Sequence, residues 1–253
     1  MTPVQRLKAG ETLLTAWSSI PDPIVVDTIA QTSVETVTLD MQHGGHSESS
    51  VLNCIQPLLH RGKGAIVRVP VGRFDMASRA LDMGADAVIA PMINTIEDAR
   101  LFANAMKFPP MGERSWGPTR TFGLRGITDA NAYLKSANSD TLAIAMVETR
   151  AALSILDDIL ALDGIDGIFV GPSDFSIAWS HGKSYNPADP DMMEAIADIA
   201  KRTRAAGKIP AAFAITVPAA HAFRKMGMGL IAANHDVGHI KDGAEAFYAS
   251  ARA

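Results

Sequence analysis

Eight short apolar runs, each followed by a stretch with helical spacing, are the feature that most constrains the fold of this chain. Strands that alternate with helices pair in parallel, because a parallel pair needs a crossover connection and such crossovers are right-handed. Eight such units close into a (β/α)8 barrel of the TIM type, which we predict, with a doubly wound open sheet as the alternative. The runs lie near residues 12–17, 35–39, 64–69, 86–91, 142–147, 165–170, 208–213 and 228–232.

Length and composition indicate one domain over residues 1–253. A chain of 253 residues that is 47% hydrophobic has enough apolar material for a single large core. The interval between the fourth and fifth runs is unusually long and includes residues 108–138, which are rich in Gly, Pro and Arg. Because compact domains rarely carry long loops without a use, we interpret this segment as a lid, a binding loop or a subunit contact. A simple exposed excursion is the alternative.

Charge and hydropathy exclude several classes of partner. The formal net charge is -4 and Lys and Arg form no stripe, whereas nucleic-acid binding needs clustered cations. No apolar run reaches the length of a membrane span, and the amino-terminal residues contain no signal core. Cys54 is the single cysteine, which excludes an internal disulfide and fits a cytoplasmic protein. The sequence therefore predicts small-molecule partners, without nucleic acid or membrane.

Two carboxylates stand at the ends of apolar runs. Glu148 ends the run at 142–148, and Asp174 ends the run at 167–174. Parallel barrel strands all end on one face, so these acids can share a hard divalent cation through oxygen ligands. We predict an open site for Mg²⁺ or Mn²⁺. The alternative is that Glu148 pairs with Arg150 or caps a helix, while Asp174 caps the next helix.

Further polar residues fall at the ends of other runs. Trp17 ends the first run, Asp40 ends the second with His43 three residues later, and Arg68 is in the third. His43 is the candidate general base, because imidazole titrates near neutrality, although a lone histidine is more often structural. Arg68 is a candidate to stabilise a developing enolate or alkoxide oxygen. Its alternative is a buried ion pair with a barrel carboxylate.

The turn from Gly171 to Asp174 suggests an anion site. Its sequence, GPSD, is predicted to open a helix, where free backbone N–H groups accept an anion such as a substrate carboxylate. The motif is weak alone, because such turns occur in many folds. His235 and His239 have the i, i+4 spacing of metal ligands, but Gly238 between them favours a structural or interface role.

Other mechanisms lack the residues they need. No lysine falls on the inner rim, so an imine mechanism is not expected. The chain contains neither a GxGxxG after its first strand nor a GxxxxGK[ST] motif, so dinucleotide and P-loop sites are not expected either.

Six segments together resemble the HpcH/HpaI aldolase family over nearly the whole chain. They are LDMQHG (39–44), VRVP (67–70), LDMGADAVIAPM (81–92), PPMGERSWG (109–117), VET (147–149) and GIDGIFVGPSDFS (164–176). The resemblance implies a metal-dependent (class II) pyruvate aldolase on a barrel of the phosphoenolpyruvate/pyruvate type. It also implies a hexamer, a trimer of dimers, with a terminal helix swapped between subunits, and a place in aromatic catabolism.

The resemblance implies a role for each matched residue. Glu148 and Asp174 would hold the cation, which is Mg²⁺ or Mn²⁺ and in some members Co²⁺. His43 would be the acid and base, and Arg68 would stabilise the enolate. The substrates implied are a 4-hydroxy-2-oxo acid, or in the other direction a 2-oxo acid and an aldehyde.

Supporting roles follow from the same resemblance. Asp82, in the matched LDMG segment, would raise the basicity of the catalytic histidine, and Asp40 is a second candidate for orienting it. The backbone N–H groups of Ser173 and Asp174 would hold the 2-oxo acid carboxylate. Trp17 and the loop around Arg114 would border the pocket.

Three residues depart from the family pattern. Met146 stands where many members carry a glutamine, Gln42 replaces a glutamate, and Ser115 replaces a glycine. We expect these changes to alter the choice of donor or acceptor, for example by admitting hydroxypyruvate. Two other functions stay open at this point, a lyase for citramalyl or malyl CoA esters and a non-catalytic protein that binds 2-oxo acids.

Overall fold

The computed structural model describes residues 1–252, which form a closed barrel of eight parallel strands. The strands are β1 (Leu13–Ser18), β2 (Thr36–Asp40), β3 (Gly64–Arg68), β4 (Ala87–Ala90), β5 (Leu142–Met146), β6 (Gly167–Val170), β7 (Ile209–Ala214) and β8 (Leu230–His235). Each strand pairs with the next along the chain, and β8 closes the barrel against β1. The predicted (β/α)8 barrel is confirmed, and the open sheet is wrong.

Helices connect the strands and cover the outside of the barrel. Between residues 1 and 252 they are α1 (Pro3–Lys8), α2 (Pro23–Ala30), α3 (Glu48–His60), α4 (Phe74–Asp82), α5 (Ile96–Met106), α6 (Thr119–Arg125), α7 (Ala130–Asp140), α8 (Arg150–Ser154), α9 (Leu156–Leu160), α10 (Pro172–Trp179), α11 (Pro190–Ala205), α12 (Val217–Met226) and α13 (Asp236–Arg252). Side chains such as Thr95, Asp189 and Thr216 cap helix starts by accepting backbone N–H bonds. No helix in this described part of the chain is long and apolar enough to cross a membrane.

Two apolar layers hold the barrel together. Leu13, Ile144 and Phe169 belong to the layer inside the barrel, and all three are fully buried. Val37 and Phe102 belong to the larger layer between the strands and the helices. Because each strand is buried on both faces, the strands appear in the sequence as nearly continuous apolar runs.

The parallel register brings the carboxyl ends of the strands to one face. Asp40 on β2 lies beside Arg68 on β3, and Trp17 on β1 lies beside His235 on β8. Gly171 directly follows β6. Side chains that are distant in sequence therefore meet at this face, where the active sites of such barrels are found.

The long interval between β4 and β5 is folded rather than irregular. It contains α6 and α7, and the rings of Phe108, Trp116, Phe122 and Tyr133 pack against one another. None of the residues 108–138 lines the cavity at the carboxyl ends of the strands. Within one chain the segment therefore forms no lid or binding loop over this cavity, and a subunit contact stays a prediction.

Candidate active site

A cavity of about 330 Å³ opens at the carboxyl ends of the strands. Its size suits a small organic ligand, since such pockets usually start at about 300 Å³. Every residue predicted for the site except Asp82 and Arg114 lines it. Five further residues also line it, namely Ser19, Phe169, Pro172, Phe213 and His235.

Arg68 and Asp40 form a buried ion pair with two hydrogen bonds. Arg68 Nε donates to Asp40 Oδ1 at 2.8 Å and Nη2 donates to Oδ2 at 2.7 Å. Burial acts to raise the pKa of Asp40, but the hydrogen bonds and charge of Arg68 hold that pKa below its ordinary value. Trp17 Nε1 donates to the same carboxylate, and the Arg68 guanidinium lies 4.8 Å from the Trp17 ring centroid. The guanidinium is therefore charged and fixed in place.

The buried ion pair that the sequence left open as an alternative for Arg68 is present. It uses Nε and Nη2 of the guanidinium but not Nη1. Arg68 lines the cavity, and its Nη1 has no hydrogen-bond partner among residues 1–252. The unused N–H groups of a fixed guanidinium are suited to an oxygen that gains negative charge during a reaction.

Asp40 also shapes the turn that carries His43. Asp40 Oδ1 accepts hydrogen bonds from the backbone N–H of Gln42 at 3.0 Å and of His43 at 3.4 Å. Within the described residues, the His43 imidazole makes no hydrogen bond, and it lies exposed at the cavity rim. Asp40 thus positions the backbone of His43 and leaves the imidazole free for a substrate.

Asp82 and His43 do not meet within one chain, so their pairing stays a prediction that only a contact between subunits could satisfy. Asp82 ends α4, which runs antiparallel to the strands, so it lies towards the amino-terminal end of the barrel. Arg114 Nη2 donates to Asp82 Oδ1 at 2.7 Å, and the side chain of Arg114 is completely buried. The predicted border of the pocket at Arg114 is wrong, because Arg114 does not line the cavity.

Glu148 is a buried carboxylate with one unused oxygen. Its Oε1 accepts a hydrogen bond from the backbone N–H of Met92 at 3.0 Å, and its Oε2 is buried with no partner among the described residues. Burial raises the pKa of Glu148 to about 7; the Met92 N–H and Arg68 oppose this rise, and Asp174 adds to it. Arg150 instead donates to the carbonyl of Trp179, so the proposed pair of Glu148 with Arg150 is wrong.

Gly171 leaves space beside this oxygen. A Cβ at residue 171 would lie 2.5 Å from Glu148 Oε2 and 3.1 Å from Met146 Cε, so no larger residue fits without a shift. Asp174 lines the same cavity from the first turn of α10 and makes no capping hydrogen bond there. The two carboxylates and the gap between them are what a small cation needs.

The donor set fits a hard divalent cation at an open site. Carboxylate oxygens are the preferred ligands of Mg²⁺ and Mn²⁺, and Mg²⁺ usually keeps waters or substrate oxygens in its other positions. Over residues 1–252, no three His, Cys, Asp or Glu side chains come together as a metal cluster. The protein would therefore supply two ligands, Glu148 and Asp174, and leave the remaining positions to solvent and substrate.

The first turn of α10 offers backbone donors beside these acids. The N–H groups of Ser173 and Asp174 fall in the first helical turn, where no intrahelical acceptor exists. Ser173 Oγ lies 3.2 Å from the hydroxyl of Tyr185, and the Ser173 carbonyl accepts from Ser176 Oγ. Ser173 and Asp174 both line the cavity, and the anion site at this turn stays a prediction.

Aromatic rings and a methionine form the apolar wall of the cavity. The Trp17 ring lies 5.7 Å from that of Phe169 and 5.3 Å from that of Phe213, measured between centroids. Met146 is 2% exposed, and its methyl group approaches Gly171. The substitution of a glutamine by Met146 therefore replaces a polar group with an apolar one next to the carboxylates.

His235 is the site residue that the sequence interpretation missed. The sequence pattern ends the eighth strand near residue 232 and favours a structural or interface role for His235 and His239. In the structure β8 continues to His235, which lines the cavity, whereas His239 hydrogen-bonds to the Ala233 carbonyl outside it. The polar ending NHD directly after an apolar run was the available signal.

The chain is similar to known proteins over nearly its whole length. The model of the HpcH/HpaI aldolase/citrate lyase family matches residues 14–242. A hydroxypyruvate/pyruvate aldolase of Rhizorhabdus wittichii is 31% identical over 244 residues, which cover 96% of each chain. A 4-hydroxy-2-oxo-heptane-1,7-dioate aldolase of Klebsiella pneumoniae is 30% identical, covering 96% of this chain and 91% of the relative.

A solved structure agrees as well. The crystal structure of an HpcH/HpaI aldolase/citrate lyase family protein from Burkholderia cenocepacia superposes with a TM-score of 0.87 and 26% identity. The superposition covers 99% of this chain and 98% of that protein. The family that the six sequence segments predicted is therefore confirmed.

Proposed function

The chain belongs to the HpcH/HpaI aldolase/citrate lyase family, and we propose that it is a divalent-metal-dependent aldolase that cleaves 4-hydroxy-2-oxo acids reversibly. The products are an aldehyde and either pyruvate or a related 2-oxo acid such as hydroxypyruvate. The relatives named as aldolases support this carbon–carbon lyase activity of the aldehyde-lyase type. The CoA-ester lyase and the non-catalytic binding protein are not favoured.

One observation carries the proposal, the unused oxygen of Glu148. A buried carboxylate oxygen without a partner destabilises a protein unless a ligand compensates for it. The gap at Gly171 and the carboxylate of Asp174 make a cation the compensating ligand of best fit. When bound, a divalent cation supplies Lewis-acid polarisation of a keto oxygen, which acidifies the adjacent carbon.

The residues of the chain account for the other requirements of the reaction. The N–H groups of Ser173 and Asp174 bind the 2-oxo acid carboxylate at the start of α10. The free Nη1 of Arg68 donates to the oxygen that becomes the enolate. In cleavage, the His43 imidazole takes the proton of the 4-hydroxyl group as the C3–C4 bond breaks, and it returns a proton to C3.

Met146 is our candidate for donor selection. An apolar side chain beside Gly171 removes a hydrogen bond that an amide would give to the oxo acid, and it changes the shape of the donor site. We propose that this residue, with Gln42 and Ser115, broadens the choice of donor towards hydroxypyruvate. The metal chemistry is left to Glu148 and Asp174.

We also propose that the chain assembles as a hexamer, a trimer of dimers, through α13. Ile240, Phe247 and Tyr248 on this helix are 54%, 69% and 57% exposed, an unusual amount of apolar surface for a terminal helix. Exchange of α13 between two subunits would cover it. Light scattering should give six chains, and Phe247→Ser with Tyr248→Ser should reduce the mass; an unchanged mass would contradict the exchange.

Two further points belong to this proposal. We place the enzyme in the cytoplasm, where a buried free thiol such as Cys54 stays reduced. Mg²⁺ or Mn²⁺ is the proposed cofactor, with Co²⁺ as a substitute, because oxygen sites of this kind accept all three ions.

The test of the function is release of pyruvate from racemic 4-hydroxy-2-oxo acids, followed with lactate dehydrogenase. The enzyme is first stripped with EDTA and then supplied with Mg²⁺, Mn²⁺ or Co²⁺. We expect activity to disappear with EDTA and to return with the metal. Pyruvate release that is unaffected by EDTA, or no release with any metal, would contradict the proposal.

A further inference from the structure

A bulge near the end of β8 turns His235 towards the cavity. Leu230 and Ala232 belong to the layer inside the barrel, while Ile231 belongs to the outer layer, so strict alternation would place residue 234 inside. The register with β1 shifts after Thr15, which pairs with Ala232, because Trp17 pairs with His235. One extra residue of β8 thus lies in this interval, as in bulges that re-aim side chains near active sites.

The backbone around His235 is held tightly in this arrangement. Asn234 adopts the left-handed region at φ 57°, and its Oδ1 accepts a hydrogen bond from the His235 N–H at 2.9 Å. A Cβ on Gly238 would lie 2.6 Å from Asn234 Oδ1, so Gly238 leaves room for this contact. The conformation that presents His235 is therefore built by its neighbours.

Hydrogen bonding also fixes which nitrogen of His235 carries a proton. The residue precedes the first residue of α13, and its Nδ1 accepts a hydrogen bond from the Gly238 N–H at 2.9 Å. An Nδ1 that accepts is unprotonated, so the proton of the neutral ring is on Nε2. In the described part of the chain Nε2 has no partner. In the neutral ring this N–H is therefore a further donor at the cavity rim that the fold leaves unused.

This donor lies on the side of the cavity where the aldehyde part of a substrate belongs. In the closed strand order, β5 and β6 lie across the barrel from β1 and β2, and β8 is next to β1. The proposed donor site is at β5 and β6, and His43, which acts at the 4-hydroxyl, follows β2. The substrate therefore extends from Glu148 towards His43 and the neighbouring His235.

The charges of the cavity disfavour an aldehyde with its own carboxylate. The lining contains the carboxylates of Asp40, Glu148 and Asp174 but a single guanidinium, Arg68, which is paired with Asp40. A divalent cation would balance the two excess negative charges. The carboxylate of the 2-oxo acid would then leave one negative charge in excess. Among the described residues that line the cavity, no other arginine or lysine could bind a second carboxylate.

The geometry points to His235 as the residue that selects the acceptor, because its Nε2–H binds a hydroxyl oxygen of a neutral aldehyde against the Trp17 and Phe213 wall. This inference rests on the proposed function and deepens it by naming the acceptor class, a neutral hydroxyaldehyde. His235 is here a substrate-binding residue and takes no part in proton transfer.

Three two-carbon aldehydes test the selection, namely glycolaldehyde, acetaldehyde and glyoxylate. We expect kcat/KM in the synthesis direction, with pyruvate as donor, to be highest for glycolaldehyde and lowest for glyoxylate. One neutral hydrogen bond corresponds to a preference for glycolaldehyde over acetaldehyde of about fivefold. A wild-type preference for glyoxylate, or none for glycolaldehyde, would overturn the inference.

His235→Asn separates binding from helix capping. Its Oδ1 can still accept from the Gly238 N–H, since asparagine is a good capping residue, but its amide is too short to replace Nε2. We expect the ratio of kcat/KM for glycolaldehyde to that for acetaldehyde to fall to about one in this variant, since the single bond of about fivefold is lost. His239→Asn, at the start of the same helix but outside the cavity, should keep the wild-type ratio.

A second variant guards against a purely structural effect. His235→Phe loses both the cap and the donor, so it should lose the preference as His235→Asn does. If the ratio changes in His235→Phe and not in His235→Asn, the histidine acts only through the helix and the inference is wrong. The ratio cancels a general loss of active enzyme, so a less stable variant still gives a decisive result.

The wild-type enzyme distinguishes this inference from the proposed function. Exchange of the C3 protons of pyruvate in D₂O with Mg²⁺ needs only the donor site and no aldehyde. Metal-dependent exchange together with an unchanged acceptor ratio in His235→Asn would overturn the role of His235 alone. Absence of exchange would overturn the aldolase proposal itself.

Discussion

At the amino-terminal end of the barrel the buried Lys107 has every partner it needs, whereas at the carboxyl end the buried Glu148 does not. Lys107 is completely buried, and its Nζ donates to Asp166 Oδ2, to the Asn138 carbonyl and to the Thr141 carbonyl at 2.6, 2.8 and 2.9 Å. These are all three of its donors. Glu148, by contrast, keeps a buried Oε2 with no partner in the described structure.

Two ion pairs, Asp86 with Arg125 and Asp40 with Arg68, show the same contrast. Asp86, before β4, accepts from Arg125 on one oxygen and from the Ala65 N–H on the other. Asp40, at the end of β2, binds Nε and Nη2 of Arg68, which lines the cavity and whose Nη1 has no partner among the described residues. Closed networks such as those of Lys107 and Asp86 stabilise the fold, while the unpaired groups of Glu148 and Arg68 at the cavity are available to ligands.

We expect the largest effect from loss of the general base at the carboxyl end of the barrel, where side chains lack partners. His43→Ala should reduce carbon–carbon bond cleavage by about 10²- to 10⁴-fold, the usual contribution of a general base. Because the imidazole has no partner in the described fold, the free energy of unfolding should change little. Coupled pyruvate release measures the first quantity and urea denaturation the second. Turnover near that of the wild type would contradict the assignment.

A substitution in the Lys107 network at the amino-terminal end should instead lower stability. Lys107→Met leaves the carboxylate of Asp166 without its buried cation, and the free energy of unfolding should fall by about 3–5 kcal/mol. The exposed Lys225→Met is the matched control, with an expected change within about 0.5 kcal/mol. Urea denaturation of both variants decides. Equal changes in the two variants would show that the Lys107 network contributes no more to the free energy of unfolding than an exposed lysine does.

A dependence on pH should follow from the unsatisfied acid. The folded pKa of Glu148 is raised from 4.5 to about 7 by burial. Its neutral form stabilises the metal-free protein fully below pH 4.5, and this contribution is lost as the pH rises through about 7. The loss corresponds to about 3 kcal/mol of unfolding free energy in metal-free protein.

Glu148→Gln is the control for this titration. An amide does not titrate, so the metal-free variant should lose less stability between pH 5 and 8 than the metal-free wild type. Thermal unfolding in EDTA at several pH values provides the measurement. Parallel curves for the two proteins would mean that Glu148 does not carry a raised pKa.

The smallest expected effect concerns the choice of donor. Met146→Gln restores an amide next to the donor site and should shift the ratio of kcat/KM for pyruvate and hydroxypyruvate by about five- to tenfold, the range of one added hydrogen bond. Competition between the two donors for one aldehyde measures the ratio directly. An unchanged ratio would remove Met146 from the account of donor choice.

Most residues at the carboxyl end of the barrel could be predicted from the sequence, because the end of a strand is a local feature. Glu148, Arg68 and Asp40 each follow or end an apolar run, and a parallel barrel brings such ends together whatever the details of packing. His43 and the turn before Asp174 follow from the same rule. The eight strands themselves were predicted to within a few residues.

The misses have physical causes that strand periodicity does not record. A bulge changes the alternation of β8, so His235 faces the cavity where strict alternation would place Asn234. Asp82 ends a helix, and helices run back to the opposite end of the barrel from the site. The interval before β5 forms α6 and α7 around a cluster of aromatic rings, which spacing alone did not indicate.

Binding of Mn²⁺ tests the central claim most directly, because the claim is that Glu148 and Asp174 together hold a divalent cation. Electron paramagnetic resonance of free Mn²⁺ gives the affinity of the wild type, Glu148→Gln and Asp174→Asn, each with and without pyruvate. We predict one site per chain in the wild type, tighter binding with pyruvate, and loss of the site in both variants. Equal affinity in all three proteins would contradict the account.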